Sequence, residues 1–385
     1  MASHEVDMSN SNPNRLPLQQ QPSLPWRITS SVVMGLTAAL SRTFLYGLNS
    51  VEVTGLERLL QVLDQRKDVE KRQRGLITVS NHVSVLDDPL IWGVLPFSYA
   101  FNPSNHRWGL GAHDICYKNK LLASFFYAGQ VLPTHRLKHS HHGGLFQPTV
   151  QQAIRLLSSP PEPTLSEGSH DDISDPFTSG DMTFTTTGTD LYVSPSIYAR
   201  NRHSWVHVFP EACVHQHPRM SMRYFKWGVS RMILESEPIP DVLPMFIDGP
   251  QRVMPEDRGF PRFLPRFPVR FRVAFGELLD SEQKFGDLRA RWQELVRKEE
   301  RKKKKDTAQA SALGELTDEL KYGREAVDLR IEVARRVREE VAKVRRSMGY
   351  PEEEPGFELA ETWAREPNKD RFKSDVDDSL VNKRE

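Results

Sequence analysis

Cysteine is nearly missing from this 385-residue chain, which holds only Cys116 and Cys213. Two thiols so far apart exclude a disulfide framework or a cysteine-rich zinc site, and a reducing or redox-indifferent setting fits. An excess of charge is missing as well. Fifty-two basic residues against 51 acidic ones leave a net charge of +1, so no chain-wide attraction to nucleic acid is expected, and any anion must be held by a local patch. No run reaches the 18 or so apolar residues of an ordinary membrane span. The N-terminus has neither a compact apolar stretch behind a positive start nor an Arg-rich, acid-poor character, so no secretory signal or matrix transit peptide is expected. Membrane contact is therefore expected to be lateral.

Several stretches bury too little apolar surface to offset their ordering entropy and are expected to be loops or disordered. These are the Ser-, Asn-, Gln- and Pro-rich residues 1–25, the polar insertion 158–188, the charged run 299–305 and the tail 351–385. Between them, residues 50–280 read as one folded domain and 281–350 as a basic helical extension.

Residues 26–49 carry Ile28, Val32, Leu36, Leu40, Phe44 and Leu48 at four-residue steps, widened by Val33 and Leu45. With Trp26, Tyr46, Arg27 and Arg42 at its margins, this segment reads as an interfacial membrane helix. A helix packed on the domain's own core has the same pattern. Strands are predicted at Val51–Gly55, Gly75–Ser80, Gly129–Leu132, Trp205–Phe209, Val242–Ile247 and Val269–Phe275. Helices are predicted between them at Leu56–Leu63, Ala123–Tyr127, Gln147–Leu157 and Lys226–Glu237. Strands alternating with helices make an α/β fold, with reactive loops beyond strand ends. The apolar stripe from Val327 through Val337 and Val341 to Met348 predicts an amphipathic helix whose favoured partner is the chain's own core.

The sharpest local feature is Asn81-His-Val-Ser-Val-Leu-Asp-Asp-Pro89, placed where an apolar strand ends. On a helix, His82 and Asp87 would stand roughly 140° apart, at about 100° per residue, so a turn must bring them together. Ser84 is the expected helix cap, and Pro89 suits the first helical turn. In that geometry Asp87 accepts one imidazole N–H and leaves the other ring nitrogen as a general base. Further polar groups follow later strands: Arg136 after Gly129–Leu132, Glu211 in Trp205-Val-His-Val-Phe-Pro-Glu211, and Arg223 with Lys226 in Arg223-Tyr-Phe-Lys-Trp-Gly228. Cations beside aromatics suit a phosphodiester at a lipid interface, so Arg136, Glu211, Arg223 and Lys226 are the expected headgroup contacts. His135, His139, His141 and His142 lack paired carboxylates at ligand spacing, and no metal is expected.

The order of His-x4-Asp, strand-end Arg, Phe-Pro-Glu and a late strand with Leu243-Pro244 resembles the glycerolipid acyltransferase superfamily from about Val51 to Leu279. The wording Asn-His-x-Ser-x-x-Asp-Asp-Pro, Trp-Val-His-x-Phe-Pro-Glu and Phe-Lys-Trp-Gly is similar to its tafazzin branch. That resemblance implies a central mixed sheet flanked by helices, with His82 and Asp87 catalytic. It implies a coenzyme-A-independent transacylase, needing no cofactor, that moves acyl chains between phospholipids and lysophospholipids, with cardiolipin and monolysocardiolipin as the characteristic pair. A coenzyme-A-dependent lysophospholipid acyltransferase with the same pair is the alternative. It further implies monotopic residence on mitochondrial membranes facing the intermembrane space, the membrane surface and membrane-associated protein assemblies as partners, and no nucleic acid. Two departures stand out. Ala212 replaces the family's usual Gly, which speaks against a positive φ at that turn, and the long polar stretch 137–204 looks like a fungal-type insertion.

Overall fold

A computed structural model describes residues 23–159, 183–195, 203–261, 263–306 and 316–364. Much of the predicted insertion, the first 22 residues and the tail beyond 364 lie outside them. The chain begins with α1 (Leu24–Leu48), β1 (Ser50–Thr54) and α2 (Leu56–Gln65), followed by β2 (Leu76–Val79) and the short helices α3 (Asp87–Trp92) and α4 (Phe97–Ala100). Next come β3 (Gly109–Ala112), α5 (His113–Cys116), α6 (Lys120–Ala128), β4 (Val131–Thr134) and α7 (Pro148–Leu157). A small hairpin, β5 (Thr183–Phe184) and β6 (Tyr192–Val193), precedes β7 (Trp205–Val208), α8 (Gly228–Glu235), β8 (Asp241–Asp248), α9 (Pro250–Val253) and β9 (Arg270–Phe275). Helices α10 (Ser281–Asp306), α11 (Asp318–Tyr322), α12 (Arg324–Ser347) and α13 (Ala360–Ala364) finish it.

The main sheet runs β1-β9-β8-β2-β7. All its neighbours are parallel except the antiparallel β8–β9 pair, so the sheet is mixed, as expected. β2 and β7 are buried at every position, which explains why they are largely apolar on both faces, with Thr78 and His207 the exceptions. A parallel two-stranded ladder, β3–β4, joins the β7 edge through Trp108, whose backbone bonds to Trp205 and His207 at 2.8 Å each.

α12 lays Leu329, Val333, Val337, Val341 and Val344 into the core, which is the favoured reading of its stripe. The charged run 299–305 lies within helix α10 rather than a loop, since Lys, Arg and Glu are good helix formers. Residues 351–364, expected in the disordered tail, hold α13, and Trp363 there is buried beside Tyr224.

α1 is docked by three small residues and one leucine. Ser30, Gly35, Ser41 and Leu45 face the domain; the Ser30 hydroxyl donates to the Ala128 carbonyl at 2.7 Å. The Phe101 ring lies over Gly35, so close that a Cβ there would fall 2.4 Å from it. Arg42 donates to the carbonyls of Gly93, Val94 and Leu95, neutralising the end of α3. Ile28, Val32, Leu36, Leu40 and Leu48 point outward. At 25 residues, α1 is long and apolar enough to cross a bilayer by length and composition alone, so length does not force the lateral arrangement.

Candidate active site

β2 and β7 are parallel, with Val79 opposite Val208. Carrying that register three residues beyond the strand ends sets His82 against Glu211, and the His82 backbone N–H donates to Glu211 Oε1 at 2.9 Å. The second Glu211 oxygen accepts the Arg223 N–H at 2.8 Å. One buried carboxylate therefore ties the loop after β2 to both loops after β7. Its burial pushes the Glu211 pKa up to about 7, against the pull of the Arg223 and His82 N–H groups.

Beyond His82 the chain turns tightly, with the Asp87 N–H donating to the Ser84 carbonyl at 3.1 Å. That turn brings Asp87 Oδ2 to 2.8 Å from His82 Nδ1. The same oxygen accepts the N–H groups of Val83 (2.6 Å) and Ser84 (2.9 Å). Asp87 is fully buried, while the His82 side chain keeps 22% of its surface exposed. Burial raises the Asp87 carboxyl above its ordinary value; the His82 ring and the two backbone donors oppose that rise. Phe209 stacks on the imidazole at 4.4 Å and 24°. The pair is thus fixed on the Nδ1 side and open on the other, as a general base requires. Ser84 is not the helix cap. Leu86 stands at that position, and the Ser84 hydroxyl instead accepts the Leu86 N–H, because the aspartate, not a serine, gathers the loop's N–H groups. Pro89 does lie in the first turn of α3.

Behind the pair is a layer that motif reading passed over. Asp88 receives Arg107 and the Trp92 indole N–H; burial works to raise its carboxyl, but the Arg107 guanidinium brings it below the usual value. His207 is buried, with Nδ1 2.8 Å from the Thr78 hydroxyl and its ring edge-on to Trp92 and Phe209. Burial pushes its pKa down to about 3, so it stays neutral and supports Phe209. Asn81 makes a reciprocal pair with the Ile247 backbone, at 3.0 and 2.9 Å. The polar residues alternating inside otherwise apolar strands, Thr78 and His207, were the available signal.

The four predicted headgroup contacts separate. Glu211 is buried with both oxygens on backbone donors, so it positions His82 instead of facing a substrate. Arg223 is buried under the Trp363 ring, 5.0 Å from its centroid; the tail segment sits where a headgroup was expected. The Lys226 N–H bonds to the Pro210 carbonyl at 2.8 Å, which keeps this residue on the same loop cluster with a half-buried side chain. Arg136 follows β4 in the outer ladder and is held by Asp114, with its Nε 3.0 Å from Oδ1. Ala212 adopts φ +53°, overturning the expectation for that turn. The N–H of Ala212 closes a turn on the Phe209 carbonyl at 2.9 Å, and the chain leaves that turn through the left-handed conformation although the residue carries a Cβ.

Comparison with known proteins decides the family. The Acyltransferase family model matches residues 50–248. A tafazzin of Saccharomyces cerevisiae is 37% identical over 377 residues, covering 96% of this chain and 89% of the yeast protein. The chain belongs to the tafazzin family of acyltransferases. A Drosophila melanogaster tafazzin is 32% identical over 62% of this chain and 49% of its own. The 1-acyl-sn-glycerophosphate acyltransferase PlsC of Thermotoga maritima matches 74% of this chain and 83% of its own at 16% identity, with a TM-score of 0.38. With the family given, this tafazzin-family chain is an acyltransferase, and the His82–Asp87 pair is its candidate catalytic centre.

Proposed function

We propose that the chain is a coenzyme-A-independent phospholipid–lysophospholipid transacylase that remodels cardiolipin by acyl transfer to monolysocardiolipin. The observation that carries this reading is the 2.8 Å contact between His82 Nδ1 and Asp87 Oδ2, on an imidazole that remains partly exposed. The second ring nitrogen takes the proton of the lysophospholipid's free glycerol hydroxyl. The alkoxide attacks the acyl ester of a donor phospholipid, and His82 returns the proton to the departing glycerol oxygen as the tetrahedral intermediate collapses. One ester forms as another breaks, so the exchange balances without a cofactor. Asp87 holds the ring's tautomer and stabilises the imidazolium.

The outward apolar stripe of α1 supports work at a membrane surface. The family resemblance supports residence on mitochondrial membranes facing the intermembrane space, together with membrane-associated assemblies as partners. Purified protein incubated with labelled phospholipid and a lysophospholipid, with no coenzyme A, is expected to transfer label. Transfer only upon addition of an acyl-coenzyme A would replace this reading with a coenzyme-A-dependent lysophospholipid acyltransferase. Comparing monolysocardiolipin with other lysophospholipids as acceptors tests the substrate.

A further inference from the structure

The β3–β4 ladder pairs Ala112 with Thr134. The same register, extended past the strand ends, sets His113 against His135 and Asp114 against Arg136. The second pair is the ion pair already described. The first is a stack of two imidazoles, with centroids 4.2 Å apart and planes at 25°. A third group reaches them from the β5–β6 hairpin: Asp190 Oδ2 lies 4.0 Å from His113 Nε2. One ligand-type atom from each of His113, His135 and Asp190 falls within 4.8 Å of the others. No other grouping of three such side chains occurs among the described residues.

We infer that His113, His135 and Asp190 form a binding site for a divalent cation of the zinc type, which fastens the inserted hairpin to the edge of the β3–β4 ladder. Two imidazole nitrogens and one carboxylate oxygen are a donor set that zinc favours. Tetrahedral zinc at its usual bond lengths holds its ligand atoms roughly 3.4 Å apart, so the three groups close by about 1 Å onto the ion. The fourth place belongs to water or to His142, whose ring stands edge-on to His135 at 6.1 Å.

The carboxylate is built for this use. Asp190 Oδ1 accepts three donors, the Thr185 hydroxyl at 2.6 Å and the N–H groups of Thr186 and Thr187 at 2.8 and 2.9 Å. Oδ2 meets the Thr186 hydroxyl, which also reaches His135 Nε2 at 2.8 Å. A cation taking Oδ2 and the His135 ring displaces that single hydroxyl, while the Oδ1 donors keep the carboxylate oriented, as outer partners do in metal sites. Both protonation states are also suitable. Burial and the neighbouring His113 hold His135 toward its neutral form, and the threonine donors keep Asp190 ionised despite its burial. The loop histidines His139 and His141, which drew attention in the sequence, are not members of this cluster.

The test uses the full-length protein stripped with a chelator. Zinc is titrated in competition with a chromophoric chelator, and thermal unfolding is followed with and without zinc. One zinc per chain is expected, with a raised unfolding midpoint. His113→Ala and Asp190→Asn each weaken binding at least about tenfold and abolish the shift, while retaining the parent circular dichroism. Binding unchanged in both variants, no binding by the parent, or binding lost only in a His139→Ala/His141→Ala protein would each overturn the site. Coenzyme-free acyl exchange serves as a separate readout, so a failure of the zinc site is distinguishable from a failure of the transacylase reading.

Discussion

At His82 the two ring nitrogens have different duties, and the residue that enforces the difference is Asp87. Its Oδ2 accepts from the imidazole and from two backbone N–H groups at once. Asp87→Asn would present an amide N–H₂ or a weaker oxygen to those three donors and release the tautomer. We expect kcat for acyl exchange to fall about 10²–10⁴-fold, with lipid binding and circular dichroism unchanged; near-parent turnover would dismiss the pair. Glu211 acts on the same ring through the backbone. With a folded pKa of about 7, against an ordinary 4.5, it is a raised carboxylate. Its contribution to stability is present at low pH and is lost as pH rises from about 4.5 through 7. A Glu211→Gln protein lacks that titration. The difference between parent and variant unfolding free energies is therefore expected to slope across this window and to level off above it, and a flat difference would refute the assignment.

At the scale of elements, the turn after β7 and the segment after α12 carry the informative departures. Ala212 holds φ +53°, a region that costs a residue with a Cβ about 1 kcal/mol. Ala212→Gly is expected to leave acyl transfer intact and to raise the unfolding free energy slightly, by up to about 1 kcal/mol, read from a urea titration. Trp363 covers Arg223 and packs on Phe357 and His215, so Trp363→Ala should lower unfolding stability by about 3 kcal/mol, measured by urea titration. The main-sheet strands and the longer helices were legible because β2, β7 and β8 are largely apolar stretches bounded by charge or Pro, and α7 and α12 repeat at helical spacing, whereas β3, with its two glycines, and the short β5–β6 hairpin carry no such pattern. The His82–Asp87 pair was legible for the same reason: the end of β2 could be found. The role of Glu211 could not be read that way, because it depends on which strands are neighbours, and the β2–β7 register appears only when the sheet is assembled. Arg223 was misplaced because its cover comes from a Pro- and Glu-rich segment whose composition argues against folding. There Trp363, with Ala360 and Phe357 beside it, supplies the buried surface.

Over the molecule as a whole, a large share of the exposed apolar side chains among the described residues gathers along one belt. Ile28, Val32, Leu36, Leu40 and Leu48 run down α1. Leu121 and Phe125 of α6 lie near its first half, where Trp26 packs on Tyr127 and Ser30 reaches Ala128. At its far end the loop before β9 presents Phe260, 94% exposed, with Phe263, Leu264 and Phe267, and Phe267 meets Phe44 of α1 edge-on at 6.3 Å. A continuous apolar strip of this extent is unusual on a soluble surface, and under the proposed transacylase reading the acyl substrate would reach His82 from a bilayer. Placing three carboxylates on the strip, Ile28→Glu, Leu36→Glu and Leu40→Glu, removes side chains that contribute little to the folded core. Each is worth about 1.5 kcal/mol or more on burial in lipid. Co-sedimentation with cardiolipin-containing vesicles should weaken at least about 100-fold, and exchange on vesicles should fall with it. Exchange on detergent-dispersed lipid should persist, because the His82–Asp87 geometry is untouched. Undiminished vesicle binding by the triple variant would show that the belt does not meet the membrane and would move the search to another face.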